Sequence, residues 1–151
     1  MWLVGLVLLA MAPTPALHTE GRTARMQSAA TSTKEATVTQ WRRFVGTWQV
    51  LAESGEQSET VIAETQPGVF VHRGNDFTVM VGWDAHLRAM HAFGFSTDDR
   101  PFEQTWHLED DQPTFRGELL GTGEEFLWSI VDGVWTMDFG SLGRMTATRI
   151  E

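Results

Sequence analysis

From Trp48 to Ile150 the chain falls into short alternations of apolar and polar residues, each closed by turn formers, and this rhythm restricts the fold most. Trp48, Val50 and Ala52 alternate with Thr47, Gln49 and Glu53, and similar runs follow at 58–64, 69–73, 77–83, 88–95, 103–109, 114–120, 125–131, 134–139 and 144–150. Successive side chains of a strand point to opposite faces, so a period of two gives each run one face to bury. Turn signals separate the runs: Pro67-Gly68, Gly74-Asn75-Asp76, Asp84 and, most clearly, Asp132-Gly133 between FLWSIV and VWTMDF. A two-residue Asp-Gly loop favours the type I′ turn, whose twist matches that of paired strands. So many short strands with little helix predict a meander, whose exposed edges are removed by closure. The expected class is therefore all-β: a closed antiparallel up-and-down barrel of about 8–10 strands with a short N-terminal helix. An open two-sheet sandwich is the alternative.

Three segments are expected. Residues 1–16 open with the apolar run Met1–Ala12, about 12 residues against the roughly 20 that cross a bilayer. With Thr14 and Ala16 placed for cleavage, the segment reads as a signal peptide, and the protein as exported, periplasmic or secreted. No Lys or Arg precedes the run, so either the leader is weak or the true start lies upstream; a buried N-terminal strand is the competing reading. Residues 17–36 are rich in Ser, Thr, Ala and charge without an apolar period, a composition that buries too little to offset its ordering entropy. They are read as a flexible linker. Residues 37–151 form the barrel domain, beginning with Val38, Trp41 and Val45 at helical spacing, Thr37 or Thr39 as N-cap, and Gly46 as the stop.

The 151 residues, 42% hydrophobic, can bury a core without cross-links, and there is no Cys for a disulfide, a thiolate metal site, a thiol nucleophile or a lipid anchor. The net charge is −9 and Lys34 is the lone lysine, which argues against nucleic acid and anionic membrane surfaces as partners. No membrane insertion is expected once the leader is removed. Seven Trp and nine Phe stand beside no Tyr, so the apolar faces are heavily aromatic.

The segment Phe44-Val45-Gly46-Thr47-Trp48, a Gly-x-Trp after a short helix at the first strand, resembles the lipocalin and fatty-acid-binding superfamily of calycin barrels. The downstream pattern, with Gly82-Trp83-Asp84 at mid-chain, looks closer still to the bacterial lipocalin-like family known as domain of unknown function 1579. The similarity covers roughly 41–150 and rests on short motifs. It implies the barrel fold, whose interior either holds a ligand or is filled by its own side chains, and carries over no catalytic residue. The continuation Gln49-Val50-Leu51-Ala52-Glu53 departs from the Gly-rich extension of the haem-binding branch, so no haem and no other cofactor is expected. In a closed meander the last strand lies beside the first. If Met145, Ala147 and Arg149 face inward, Arg149 arrives over the Trp48 ring, the plug that calycin barrels use. Its guanidinium can also reach carbonyls at the end of the helix.

Alternation also groups Phe77, Val79, Val81 and Trp83 on one face, His91 with Phe93 and Phe95, Trp106 with Gln104 and Leu108, Trp128 with Phe126 and Ile130, and Met137 with Trp135 and Phe139. His91, Phe93, Trp106, Trp128 and Met137 are the candidate ligand-binding residues, with His91 as a polar group in an apolar pocket or, alternatively, a rim histidine. The facing of His72, which shares parity with Phe70, stays open. His107 reads as water-facing and His86 as a turn residue. No His-x-His or HExxH spacing points to a metal, and no nucleophile elbow is present. The acidic pairs Asp98-Asp99, Asp110-Asp111 and Glu124-Glu125 read as solvated turns. A module binding a small apolar or amphipathic molecule leads; a structural or protein-interaction domain with a filled core comes next; an enzyme using His91 trails both. Oligomeric state is not legible in the sequence.

Overall fold

The structure, a computed structural model, describes residues 33–109, 114–119 and 123–150. The leader at 1–16 and most of the linker at 17–36 lie outside the described residues. Helix α1 (Lys34–Trp41) begins one turn earlier than the expected caps and takes the last three residues of the linker into the folded unit. The reason is Thr33, whose hydroxyl accepts the Ala36 N–H at 3.2 Å, while Glu35 favours the positive end of the helix. Thr37 is buried on the helix flank instead of capping it. A 3-10 turn at Arg42–Phe44 then leads into the sheet.

Ten strands follow: β1 (Gly46–Ala52), β2 (Gln57–Gln66), β3 (Val69–Arg73), β4 (Phe77–Asp84), β5 (Ala89–Ser96), β6 (Pro101–Glu109), β7 (Thr114–Leu119), β8 (Glu124–Val131), β9 (Val134–Asp138) and β10 (Arg144–Arg149). Each pairs antiparallel with its chain neighbours, and β1 pairs with β10, so the sheet closes. Asp132 and Gly133, with φ of 51° and 79°, form the left-handed two-residue turn expected between β8 and β9.

Strand direction sorts the connections. The turns after β2, β4 and β8 lie at the end where β1 begins, and those after β1, β3, β5 and β9 lie at the other. The α1 segment covers the first end. A side chain added at Gly68 would meet Val38 at 3.7 Å, and Arg42 pairs with Glu64 at 2.8 Å. Glu64 also accepts the Gly68 N–H at 2.7 Å, and Arg42 together with that amide holds its carboxyl down to about 2. Trp41 and Phe44 send fully buried rings from this segment into the barrel.

The seam is locked at the same end. Trp48 lies opposite Arg149 in the β1–β10 register, and the guanidinium sits 4.7 Å from the indole centroid. Arg149 Nη2 donates to the Arg43 carbonyl at 2.6 Å, and Trp48 Nε1 donates to the Phe44 carbonyl at 2.8 Å. Helix exit, first strand and last strand thus meet around two side chains. Removing the guanidinium with Arg149→Ala is expected to cost about 2–4 kcal/mol in urea unfolding, the sum of a cation–π contact and a charged hydrogen bond. Arg149→Lys, which keeps the charge without the planar fork, should recover about half of it. A loss near zero for Arg149→Ala would mean that strand pairing alone closes the barrel.

Candidate ligand site in the barrel interior

The interior has two halves. Toward α1 it is an aromatic cluster centred on Trp41, whose ring centroid lies 4.9 Å from Trp106, 5.1 Å from Phe115 and 5.8 Å from Trp128. Trp135 extends the cluster, 4.8 Å from Trp128, 5.2 Å from Phe44 and 5.5 Å from Trp48. Most of these contacts are tilted or edge-to-face, the arrangement aromatic quadrupoles prefer. The sequence period puts them there: Trp48, Trp106, Trp128 and Trp135 all occupy inward positions of their strands.

Indole rings bring donors as well as apolar area. Trp48 satisfies its N–H on the Phe44 carbonyl, but Nε1 of Trp41, Trp106, Trp128 and Trp135 is buried without an acceptor among the described residues. A buried donor left unpaired costs about 1–3 kcal/mol, and native proteins keep few of them. Four in one contiguous cluster set this interior apart from an ordinary core.

The other half carries the polar groups. Thr60 and His72 come from adjacent strands, and Gln104 from β6 across the barrel; all three are buried. The Thr60 hydroxyl donates to the Arg73 carbonyl at 2.8 Å, so it accepts from His72 Nε2, also at 2.8 Å. That network assigns the neutral Nε2–H tautomer to His72. Its ring stands edge-on to Phe77 at 4.8 Å and to Trp128 at 5.8 Å. Burial among these rings pushes the His72 pKa down to about 3. Phe77 and Phe102, stacked at 5.9 Å and partly exposed, lie nearer the end opposite α1, and Phe126 packs on Phe139 at 5.6 Å.

Of the ligand-binding candidates, Trp106, Trp128 and Met137 are buried and face this interior. His91 and Phe93 do not. In β5 the inward residues are Met90, Ala92 and Gly94, because Ala92 pairs with inward Val81 and Gly94 with inward Val79. His91, Phe93 and Phe95 therefore face outward, the two phenylalanines each 53% exposed. Period alone favours the large apolar set for the core; packing reverses it. A Cβ on Gly94 would lie 2.2 Å from the Thr78 carbonyl oxygen, so only glycine fits on the inner side there. His91 instead bridges Glu103 at 2.8 Å and Asp84 at 3.6 Å on the outer surface. Phe93 and Phe95, 5.7 Å apart, form an exposed apolar patch with Met80, the cross-strand partner of Phe93. The interior histidine is His72, and its one sequence signal was shared parity with Phe70.

Among the described residues the buried polar side chains are Thr37, Thr60, His72, Gln104 and Thr105, and Thr60 donates its proton to a backbone carbonyl. Among the described residues no group of three His, Asp or Glu side chains converges on a metal position. Comparison with protein-family models, curated proteins and solved structures finds no match to this chain. The closed ten-strand barrel is compatible with a calycin-like fold, and the likeness to the domain of unknown function 1579 family gains no support from any family match.

His72 gives the site a pH signature. Its folded pKa lies below that of an unfolded histidine, about 6.5, so the unfolded chain binds the proton first as pH falls. The stability present above pH 6.5 is expected to decline between about pH 6.5 and 3, by a few kcal/mol at pH 4. His72→Gln, which keeps a donor for Thr60 and cannot titrate, should flatten that decline in urea titrations at successive pH values. An unchanged pH profile in this variant would show that His72 protonates freely in the folded protein.

Proposed function

We propose that this is an exported barrel that takes up a small apolar or amphipathic molecule through the end opposite α1. The observation that carries the reading is the set of four buried indole N–H groups without acceptors among the described residues, next to a neutral, desolvated histidine. A core selected only for stability would satisfy those donors or replace them by phenylalanine, since each unpaired donor is a standing cost of about 1–3 kcal/mol. Concave, mainly aromatic surfaces with a few fixed polar groups are the usual form of small-molecule sites. Partly exposed Phe77, Phe102 and Phe139 at the mouth supply an apolar entry. Export rests on the short apolar run at Met1–Ala12 followed by Pro13-Thr14-Pro15-Ala16.

A second reading, a structural or interaction domain with a filled core, is favoured by the close ring spacing around Trp41 and by the outward patch of Met80, Phe93 and Phe95. Such a patch on a soluble barrel suits contact with another protein of the cell envelope. The two readings differ in what tryptophan removal does. Under the binding reading, the neutral probe N-phenyl-1-naphthylamine binds saturably, and Trp106→Ala and Trp128→Ala each weaken it at least tenfold at a pH and temperature where the variants remain folded. Under the filled-core reading the parent protein leaves the probe in water, and each variant loses about 3–5 kcal/mol of stability with no binding to lose.

A further inference from the structure

The geometry points to a ligand that is neutral and carries a hydrogen-bond acceptor, such as a long-chain ketone, ester or ether, with the carboxylate of the same chain excluded. This rests on the binding reading above and adds the chemistry of the polar group. Three independent features converge on it.

The first is the sign of the unmet hydrogen bonding. The orphaned groups of the aromatic cluster are indole N–H donors, from Trp41, Trp106, Trp128 and Trp135. A donor-only group such as indole is satisfied by an acceptor, so a guest hydroxyl would use its lone pair and a guest ammonium would use nothing. A carbonyl or ether oxygen fits this requirement without bringing a surplus donor of its own. Trp128 is the best placed of the four, since its ring touches Trp41, Trp106 and Trp135 in one half and His72 in the other.

The second is the absence of a buried counter-charge. The buried polar side chains among the described residues are Thr37, Thr60, His72, Gln104 and Thr105, none of which is cationic while His72 is neutral. Arg149, on the inward parity of β10, is committed to Trp48 and the Arg43 carbonyl beneath the aromatic cluster. A carboxylate taken into such a space would be an unpaired buried charge, which costs several kcal/mol even after relaxation. The low pKa of His72 is the same desolvation acting on a charge of the opposite sign.

The third is the field at the mouth. At the end where β1 gives way to β2, Arg100 pairs with Asp98 and Arg144 with Asp138. The connecting loops of that end also carry Glu53, which accepts the Arg144 N–H, together with Glu56, Asp76 and Asp99, against Arg73 at the end of β3, on a chain whose net charge is −9. The rim repels an approaching anion and tolerates a neutral or cationic tail left outside.

The test is displacement of bound N-phenyl-1-naphthylamine at pH 7.5 by three probes of closely matched chain length, the charged ones below their micelle concentrations: 2-tridecanone, dodecanoate and dodecyltrimethylammonium. The ketone is expected to compete at least tenfold more tightly than dodecanoate, with the trimethylammonium between them. Trp128→Phe, which keeps a ring and removes the N–H, should weaken the ketone several-fold and leave dodecane, which has no acceptor, unchanged. Retained dodecane binding also shows that the variant is folded. Dodecanoate binding as tightly as the ketone, or Trp128→Phe weakening dodecane as much as the ketone, overturns the inference while leaving a binding barrel standing. If neither the naphthylamine nor any of the chains binds, the binding reading itself fails, and this inference with it.

Discussion

Closure of β1 on β10 is the constraint on which everything else in this protein depends. Until that pairing forms, ten strands present two free edges and the aromatic residues have no inside to occupy. The register Trp48 opposite Arg149 fixes which residues face in, because slipping a strand by one position would turn its whole apolar set outward. The same two residues bind the exit of α1 through the Phe44 and Arg43 carbonyls, so helix placement and sheet closure rest on the same pair of side chains. With α1 held there, Trp41 and Phe44 enter the barrel and nucleate the aromatic cluster.

That arrangement divides the interior by function. One half is filled from the helix side and supplies apolar packing; the other places Thr60, His72 and Gln104 within reach of the mouth. Tryptophan is an unusual choice for such a core, since each ring adds large apolar area and one donor that needs a partner. Trp48 has its partner on the Phe44 carbonyl, while the indole N–H groups of Trp41, Trp106, Trp128 and Trp135 have none among the described residues.

Much of this was legible in the sequence. The turn formers and the period of two locate the strands to within a residue or two, and the bounds of β3 coincide with the run at 69–73. Closure was legible in the strand count, and the Trp48–Arg149 contact in the resemblance to calycin barrels once Arg149 is taken to face inward. The helix start was less legible, because Thr33, Thr37 and Thr39 can each cap, and only packing shows that Thr37 is needed as a buried flank. The facing of β5 misled because apolar size and inward direction part company there. Ala92 and Gly94 occupy the cramped inner side, and Phe93 and Phe95 are left on the surface. His72 stayed ambiguous for the reverse reason: in VFVHR both parities are apolar, so alternation has no contrast to read.

The central claim, that buried indole donors await an acceptor from outside the chain, is open to direct observation by nuclear magnetic resonance. With the seven tryptophans labelled at Nε1 and assigned, 2-tridecanone would be titrated into the folded protein. The Trp128 indole proton, and at least one of those of Trp41, Trp106 and Trp135, should move downfield saturably as it gains an acceptor. The Trp48 proton, already bonded to the Phe44 carbonyl, should stay in place. Spectra that do not change, or changes confined to the partly exposed Trp83, would contradict it.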